Sequence, residues 1–497
     1  MIWKIAKKEF LLNLMTFKFA VGTILCMVLM AVFVPILMND YEQRLQKYNK
    51  LVADNEAELR KVRVYKNITP TLHRPPAMLS VFSAGLEKQL GDSARIEIGT
   101  IPKVDAAPTG DNHYLSIFPV LDASLILKIV LSLLAILIAY DGISGEKERG
   151  TLRLILANRT ARHQVLLGKL LAAVVTLIVP TTIAFVVGVL VLEFSPMADL
   201  TWSDWARIGL MYLASLIFIS AMYNMGLLFS CLANRPAISL ILGLFFWVVC
   251  AVVIPNASVY TATRIRPLEP KVEVDSQITL LRSELRRQWI DIMVATAGNR
   301  STSQSDAQGA FGNGYIRKFN TDCFEWQQGL HPAMEPLRIK YADRIWEVES
   351  GYLKTIWKQR HLADNLSRIS PIFSYENATS VLAGTDLASF QYFVSRAKAY
   401  RDQIVEYIRS RTDNFRSSSY WTPFSKEYAS DYGDGKREAP DIADHPRLNL
   451  EDLPPCTYRL DLAESVRRAI PDLALLVFAN VLFFALSFVA FMKGDVR

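Results

Sequence analysis

The sequence predicts a mainly α-helical, polytopic membrane protein with six transmembrane helices, an N-terminal interfacial helix and a mostly helical (α+β) extracytoplasmic domain. Two observations carry that prediction. Hydrophobic residues make up 51% of the 497 residues and are clumped into six runs, each near the roughly 20 residues that a bilayer core of about 30 Å demands of a helix. They are apolar all the way round, which a soluble core helix rarely sustains for so long. Lys and Arg, in contrast, gather at particular places between the runs, while the long stretch from about 257 to 470 is nearly balanced.

Residues 1–15 (MIWKIAKKEFLLNLM) read as a short amphipathic helix, with Ile2, Ile5, Ala6 and Phe10 able to share a face and Lys4, Lys7 and Lys8 on others. A basic helix with Trp and Phe suits the plane of a membrane interface; the alternative is the solvated start of the first span. That span, 19–38, is uninterrupted by charge and is not followed by a small-residue cleavage site before MNDYEQRLQK, so it reads as a retained helix rather than a signal peptide. Residues 41–65 are polar, free of Gly and Pro, and look like a stalk continuing the helix beyond the bilayer. From Thr69 to Ala107, prolines and Gly91 punctuate the chain and SARIEIGTI alternates as a strand would. The remaining spans are 124–140, 168–192, 207–232, 238–255 and 473–492. Between the last two, helical stretches are expected at 273–296, 333–368 and about 387–411, separated by the breaker-rich 301–315 and followed by the breaker-rich 431–447.

Basic residues sit at Lys4, Lys7, Lys8 and Lys18, in 141–169, and at Lys493 and Arg497, whereas the loop 193–204 has none. The positive-inside rule therefore puts both termini and the connections 141–167 and 233–237 in the cytoplasm. Segments 39–122 and 257–470 fall outside and are expected to build one domain together. An oxidising exterior would permit a disulfide between Cys323 and Cys456; two separate buried thiols are the alternative.

No HExxH motif, CxxC pair or histidine cluster appears, so no metal site is expected. Gly145 and Gly150 have the outer spacing of a P-loop, but Thr151 and Leu152 stand where Lys and Ser/Thr are required, which excludes nucleotide binding there. No catalytic residue and no cofactor is assigned to this chain. Lys128, inside the second run, reads as a snorkelling side chain, and Asn224 and Asn480 as helix-to-helix glue.

The segment GEKERGTLRLILANR (145–159) packs Glu146, Lys147, Glu148, Arg149, Arg153 and Arg159 between two apolar runs. If 146–156 is a helix, Arg149 and Arg153 repel rather than pair, while Leu152, Ile155 and Leu156 form a small apolar stripe. Unpaired charge beside an apolar stripe fits a protein-docking surface; a helix held by lipid headgroups is the alternative.

The run from Asp141 to Lys169 resembles the signature of ABC-2-type ABC transporter permeases, of the form E-[KR]-E-x-G-T-L followed by Arg and by Gly-Lys at the head of the next span. Glu146, Lys147, Glu148, Gly150, Thr151, Leu152, Arg162, Gly168 and Lys169 match it. The family's Pro shortly before that Arg is replaced by Asn158-Arg159-Thr160-Ala161. The external stretch 370–386 (SPIFSYENATSVLAGTD) looks like the branch of these permeases with a large extracytoplasmic domain.

The resemblance implies a multi-pass transmembrane subunit of a bacterial or archaeal inner membrane, itself no enzyme. It would pair with a second permease protomer, as a homodimer or related heterodimer, and with two ABC ATPase subunits that bind ATP and Mg. The coupling surface would be Glu146, Lys147, Glu148, Arg149, Gly150, Thr151, Leu152, Arg153 and Leu156. Membrane lipids and an envelope protein are further expected partners, and nucleic acid is not. Two functions fit: ATP-driven export, or mechanotransmission in which the outer domain acts on an envelope partner and nothing crosses. A mid-membrane cavity between protomers would favour the first, a tightly packed dimer interface with a mobile outer domain the second.

Overall fold

The computed structural model describes residues 2–104, 122–152, 161–197, 199–297, 321–416, 447–456, 458 and 461–493, without side chains at 297 and 321–328. The expected loops 301–315 and 431–446, and residues 153–160 of the charged connection, lie outside the described residues.

Among the described residues, six helices are long and apolar enough to cross a membrane: Phe17–Leu59, Ala123–Glu148, Arg162–Glu193, Trp202–Leu232, Pro236–Ile265 and Leu462–Lys493, the first to sixth spans below. The first continues without a break from its apolar run into the polar stalk, over 43 residues. Its start is fixed by Thr16, whose hydroxyl accepts from the Phe19 N–H. The fourth starts ahead of its apolar run because Thr201 and Asp204 form a capping box. Before the first span lies helix α1 (Ile2–Leu14), packed along the third span.

The fourth span is the hub of the bundle, packed against the second, third and sixth. It meets the second at Gly226, where an added Cβ would lie 2.7 Å from the Ala139 Cβ and 3.3 Å from the Ile136 Cα. Helix backbones approach this closely only over small residues. Gly226→Ala should therefore lower the thermal midpoint in detergent, with overpacking costing about 1–3 kcal/mol; an unchanged midpoint would mean that the two helices are free to move apart. Asn224 Nδ2 donates to Asn480 Oδ1 at 3.0 Å and Asn480 Nδ2 to the Ile217 carbonyl at 2.8 Å, so the expected glue joins the fourth and sixth spans.

The two long polar segments share a second core. Tyr65, Ile68, Leu72 and Ile96 from the first pack with Phe393, Ile404, Ile408 and Leu448 from the other. The alternating stretch supplies the middle strand of a small antiparallel sheet, β1 (Thr71–His73), β2 (Ser93–Arg95) and β3 (Lys103–Val104), in the order β1-β2-β3. The helical stretches appear as α2 (Lys271–Ala297), α3 (Thr321–Ser367) and, after a further helix, α5 (Leu387–Arg411). Arg401, buried on α5, ties this domain together: it contacts Asp343 of α3 at 2.8 Å and donates to the Ile98 carbonyl at 2.9 Å.

The further helix, α4 (Pro371–Ala383), was not separately foreseen. Ser370 caps it, Pro371 opens it, and Gly384 at φ +75° closes it. It inserts among the spans, and its Ile372, Tyr375, Val381 and Leu382 belong to the bundle core rather than to the second core. Tyr375 stacks on Phe218 with ring centroids 4.5 Å apart and hydrogen-bonds to Ser215, while the Ser370 hydroxyl donates to the Cys250 carbonyl.

Candidate coupling site

The second span ends in a short helix, Ser144–Glu148, which carries the start of the charged connection. It is anchored from beneath: the N–H groups of Ile143 and Ser144 both donate to the Ser230 hydroxyl at 3.0 Å. Gly150, at φ +72° with open space around its α-carbon, then breaks the helix. The helix expected over 146–156 is thus broken at Gly150.

Lys169 lies at the centre of the site. Its side chain is 4% exposed, and its Nζ sits 2.9 Å from Glu9 Oε1 of α1 and 2.8 Å from Glu146 Oε1 of the charged connection. An ammonium so buried is tolerable only when carboxylates replace its lost water. The preceding residue explains how α1 reaches it. A Cβ on Gly168 would lie 2.8 Å from Ile5 Cγ2, so only glycine lets α1 lie flat against the third span. The Gly-Lys pair at the head of that span is therefore a seat and a lock for α1.

Other charges of the segment also turn inward. Lys147 Nζ donates to the carbonyls of Cys231 and Ala233, at the end of the fourth span, a favourable place for a cation because those carbonyls lack intrahelical partners. Arg162 does the same for the sixth span, donating to Phe491 O at 2.9 Å and Met492 O at 2.8 Å. Asp141 pairs with Lys18 of the first span at 2.8 Å. Leu152 is buried in the bundle core. Glu148, Arg149, Gly150 and Thr151 are exposed. Of the nine expected docking residues, then, three face inward and four face out; Arg153 and Leu156 lie outside the described residues. Glu9, missed in the sequence, is the one acid in α1, which is the signal that could have found it.

At the opposite, stalk end, a cavity of about 650 Å³ opens between the second span, α3, α4 and the start of the sixth span. Six of its charges are matched in three pairs: Lys128 with Glu376 at 2.7 Å, Arg360 with Asp364 at 2.9 Å, and Arg468 with Asp386 at 2.8 Å. Lys128, expected to snorkel, ends on Glu376 of α4. Asp122 lines the same cavity and accepts from the N–H groups of Leu125 and Ala84; burial pushes its carboxyl up to about 6 despite those bonds. Cys456 is a free thiol and the Cys323 side chain lies outside the described residues, so the disulfide stays an expectation. Among the described residues no group of three or more His, Cys, Asp or Glu could hold a metal ion.

Six candidate spans, an N-terminal helix locked to the third of them and a charged connection tied to its neighbours describe a polytopic membrane subunit of the permease class. The chain belongs to the ABC-2 family of transporter proteins, which it matches over residues 3–496. No curated protein matches it. Membrane subunits of this family generally work with ABC ATPase partners, and the chain is accordingly a transport subunit.

Proposed function

We propose that this permease couples ATP hydrolysis by two separate ATPase subunits to export, as one of a pair of protomers, and that Glu148, Arg149, Gly150 and Thr151 form the described part of the ATPase-docking surface. ATP and Mg belong to those partners. The observation that carries this reading is the two-sidedness of the charged connection. Its outer face is exposed, while its inner face is tied through Glu146 to Lys169 of the third span and by way of that lysine to Glu9 of α1, through Asp141 to the first span, and through Lys147 and the Ile143 N–H to the fourth. A push on the outer face would reach all four elements at once, as rigid-body transmission requires. The basic residues at this end support a cytoplasmic assignment, with the stalk end and its domain on the outer side of the inner membrane.

The test separates docking from internal support. Glu148→Lys combined with Arg149→Glu should lower co-purification of the ATPase subunit at least tenfold, about 1.4 kcal/mol, while leaving the thermal midpoint unchanged. Full retention of the ATPase together with normal stimulation of its hydrolysis would refute this surface.

A second reading has its own support. Because α4 is set into the bundle and continues into α5 of the outer core, movement of the spans would drag the outer domain directly. Mechanotransmission to an envelope partner then needs no substrate path. Reconstituted vesicles that hydrolyse ATP while the outer domain changes distance to the bundle, without releasing any cargo, would favour it.

A further inference from the structure

The side of α1 turned away from the third span changes character along its length. Its first two turns expose Lys4, Lys7 and Lys8 together with Trp3, which is 76% exposed. Beyond Phe10 the same side is apolar, through Leu11 and Leu12 to Met15 and, past the turn, to Phe17. That apolar surface runs on to the exposed Val21, Ile24 and Val28 of the first span, a helix long and apolar enough to cross a membrane. The three lysines therefore sit where the surface facing acyl chains stops, which is the level of the lipid headgroups. A tryptophan beside them is the residue expected at that level.

The protein itself offers these ammonium groups no counter-charge. The first turn of α1 holds no acid, and its one acid, Glu9, points the other way, to Lys169. Among the described residues Lys4, Lys7 and Lys8 form no ion pair and no side-chain hydrogen bond. At spacings of three and four along a helix they repel one another, and a cation in the first turn opposes the helix dipole. Both penalties fall on the part of α1 that is seated on the third span, because Ile5 meets Gly168 and Glu9 meets Lys169 within the same turns. An occupant with net negative charge would remove them. A zwitterionic headgroup brings a cation with every phosphate; an anionic one does not.

We propose that this basic face of α1 docks onto anionic phospholipid headgroups, in the leaflet at the end of the charged connection, and that their charge holds α1 on its seat against the third span. Such docking needs no ATPase contact at Glu148 to Thr151 and stands or falls separately from it.

The full chain is reconstituted in nanodiscs of phosphatidylcholine alone or of phosphatidylcholine mixed with phosphatidylglycerol, and hydrogen exchange is followed across residues 2–14. Each lysine near an anionic surface contributes about a fivefold preference, so phosphatidylglycerol should slow exchange of α1 by about tenfold or more. Raising the salt concentration should return wild type to its rate in phosphatidylcholine, since exposed charges are screened. Lys4→Gln with Lys7→Gln and Lys8→Gln should lose the response to phosphatidylglycerol, and the corresponding triple change to Arg should keep it. Native mass spectrometry from mixed micelles should likewise show wild type enriched in phosphatidylglycerol relative to the Gln variant. The salt series uses wild type alone and decides the matter if the Gln variant does not fold. Equal exchange of wild-type α1 in the two kinds of nanodisc would overturn the proposal. So would a Gln variant that keeps the lipid preference but loses the ATPase subunit on co-purification, which would assign the lysines to a protein partner.

Discussion

Lys169→Met is expected to destabilise the protein by about 3–5 kcal/mol, the usual cost of removing one partner from a buried charge cluster, and to release α1 from the third span. The reason is local. Without the ammonium, Glu9 and Glu146, themselves only 19% and 17% exposed, face each other across a site where the Lys169 side chain is 4% exposed. Glu146 Oε2 is already without a partner among the described residues, so the loss of its one cation strikes an under-satisfied group. Hydrogen exchange across residues 2–14 should rise by orders of magnitude, and stimulation of the partner's ATP hydrolysis should fall with it. Adding Glu9→Gln and Glu146→Gln to Lys169→Met should recover most of the stability, because burying neutral groups in place of a charge triad is often nearly neutral. Gly168→Leu offers an independent route to the same phenotype, since its side chain would strike Ile5 without touching any charge. If α1 stays protected in Lys169→Met and the stability changes by less than about 0.5 kcal/mol, the triad is not what holds the helix.

That cluster also marks where the sequence stops being legible. The six spans were readable because hydropathy is a local property, and so were α2, α3 and α5, whose polar faces keep helical spacing. Which charges of the connection between the second and third spans face inward could not be read. Each inward charge meets a partner far away in the chain: Lys169 meets Glu9, Lys147 meets the end of the fourth span, and Arg162 meets carbonyls of Phe491 and Met492. Nothing in a fifteen-residue window distinguishes Glu146, locked against Lys169, from Glu148, which is exposed. Gly150 is a different kind of miss. Its left-handed backbone could have been anticipated as a helix stop, whereas the expected helix ran through it. For α4 the caps were visible, with Ser370 and Pro371 at one end and Gly384 at the other. Its place inside the bundle was not, because at 13 residues it is too short to register as a span.

Asp472→Ala should cost a further about 3–5 kcal/mol by the same rule, at the other end of the molecule and with a different functional consequence. Asp472 is completely buried near the start of the sixth span. It accepts two bonds from Arg368, at 2.8 and 3.2 Å, and one from Asn377 at 2.8 Å, so a single carboxylate fastens the end of α3 and the middle of α4 to the membrane bundle. The bidentate guanidinium gives direction as well as energy. Replacing both partners, Arg368→Leu with Asp472→Leu, should restore much of the lost stability, since an apolar pair leaves no orphaned charge. It would not restore the directional link. The contrast between the variants therefore separates stability from transmission. If the stalk-side domain is driven through this latch, the double variant should fold and stimulate ATP hydrolysis normally, yet lose nucleotide-dependent changes in distance between a label on α5 and one on the fourth span. If the double variant keeps those changes at full amplitude, the motion passes instead through the unbroken first span, whose stalk is the other covalent route to the same core.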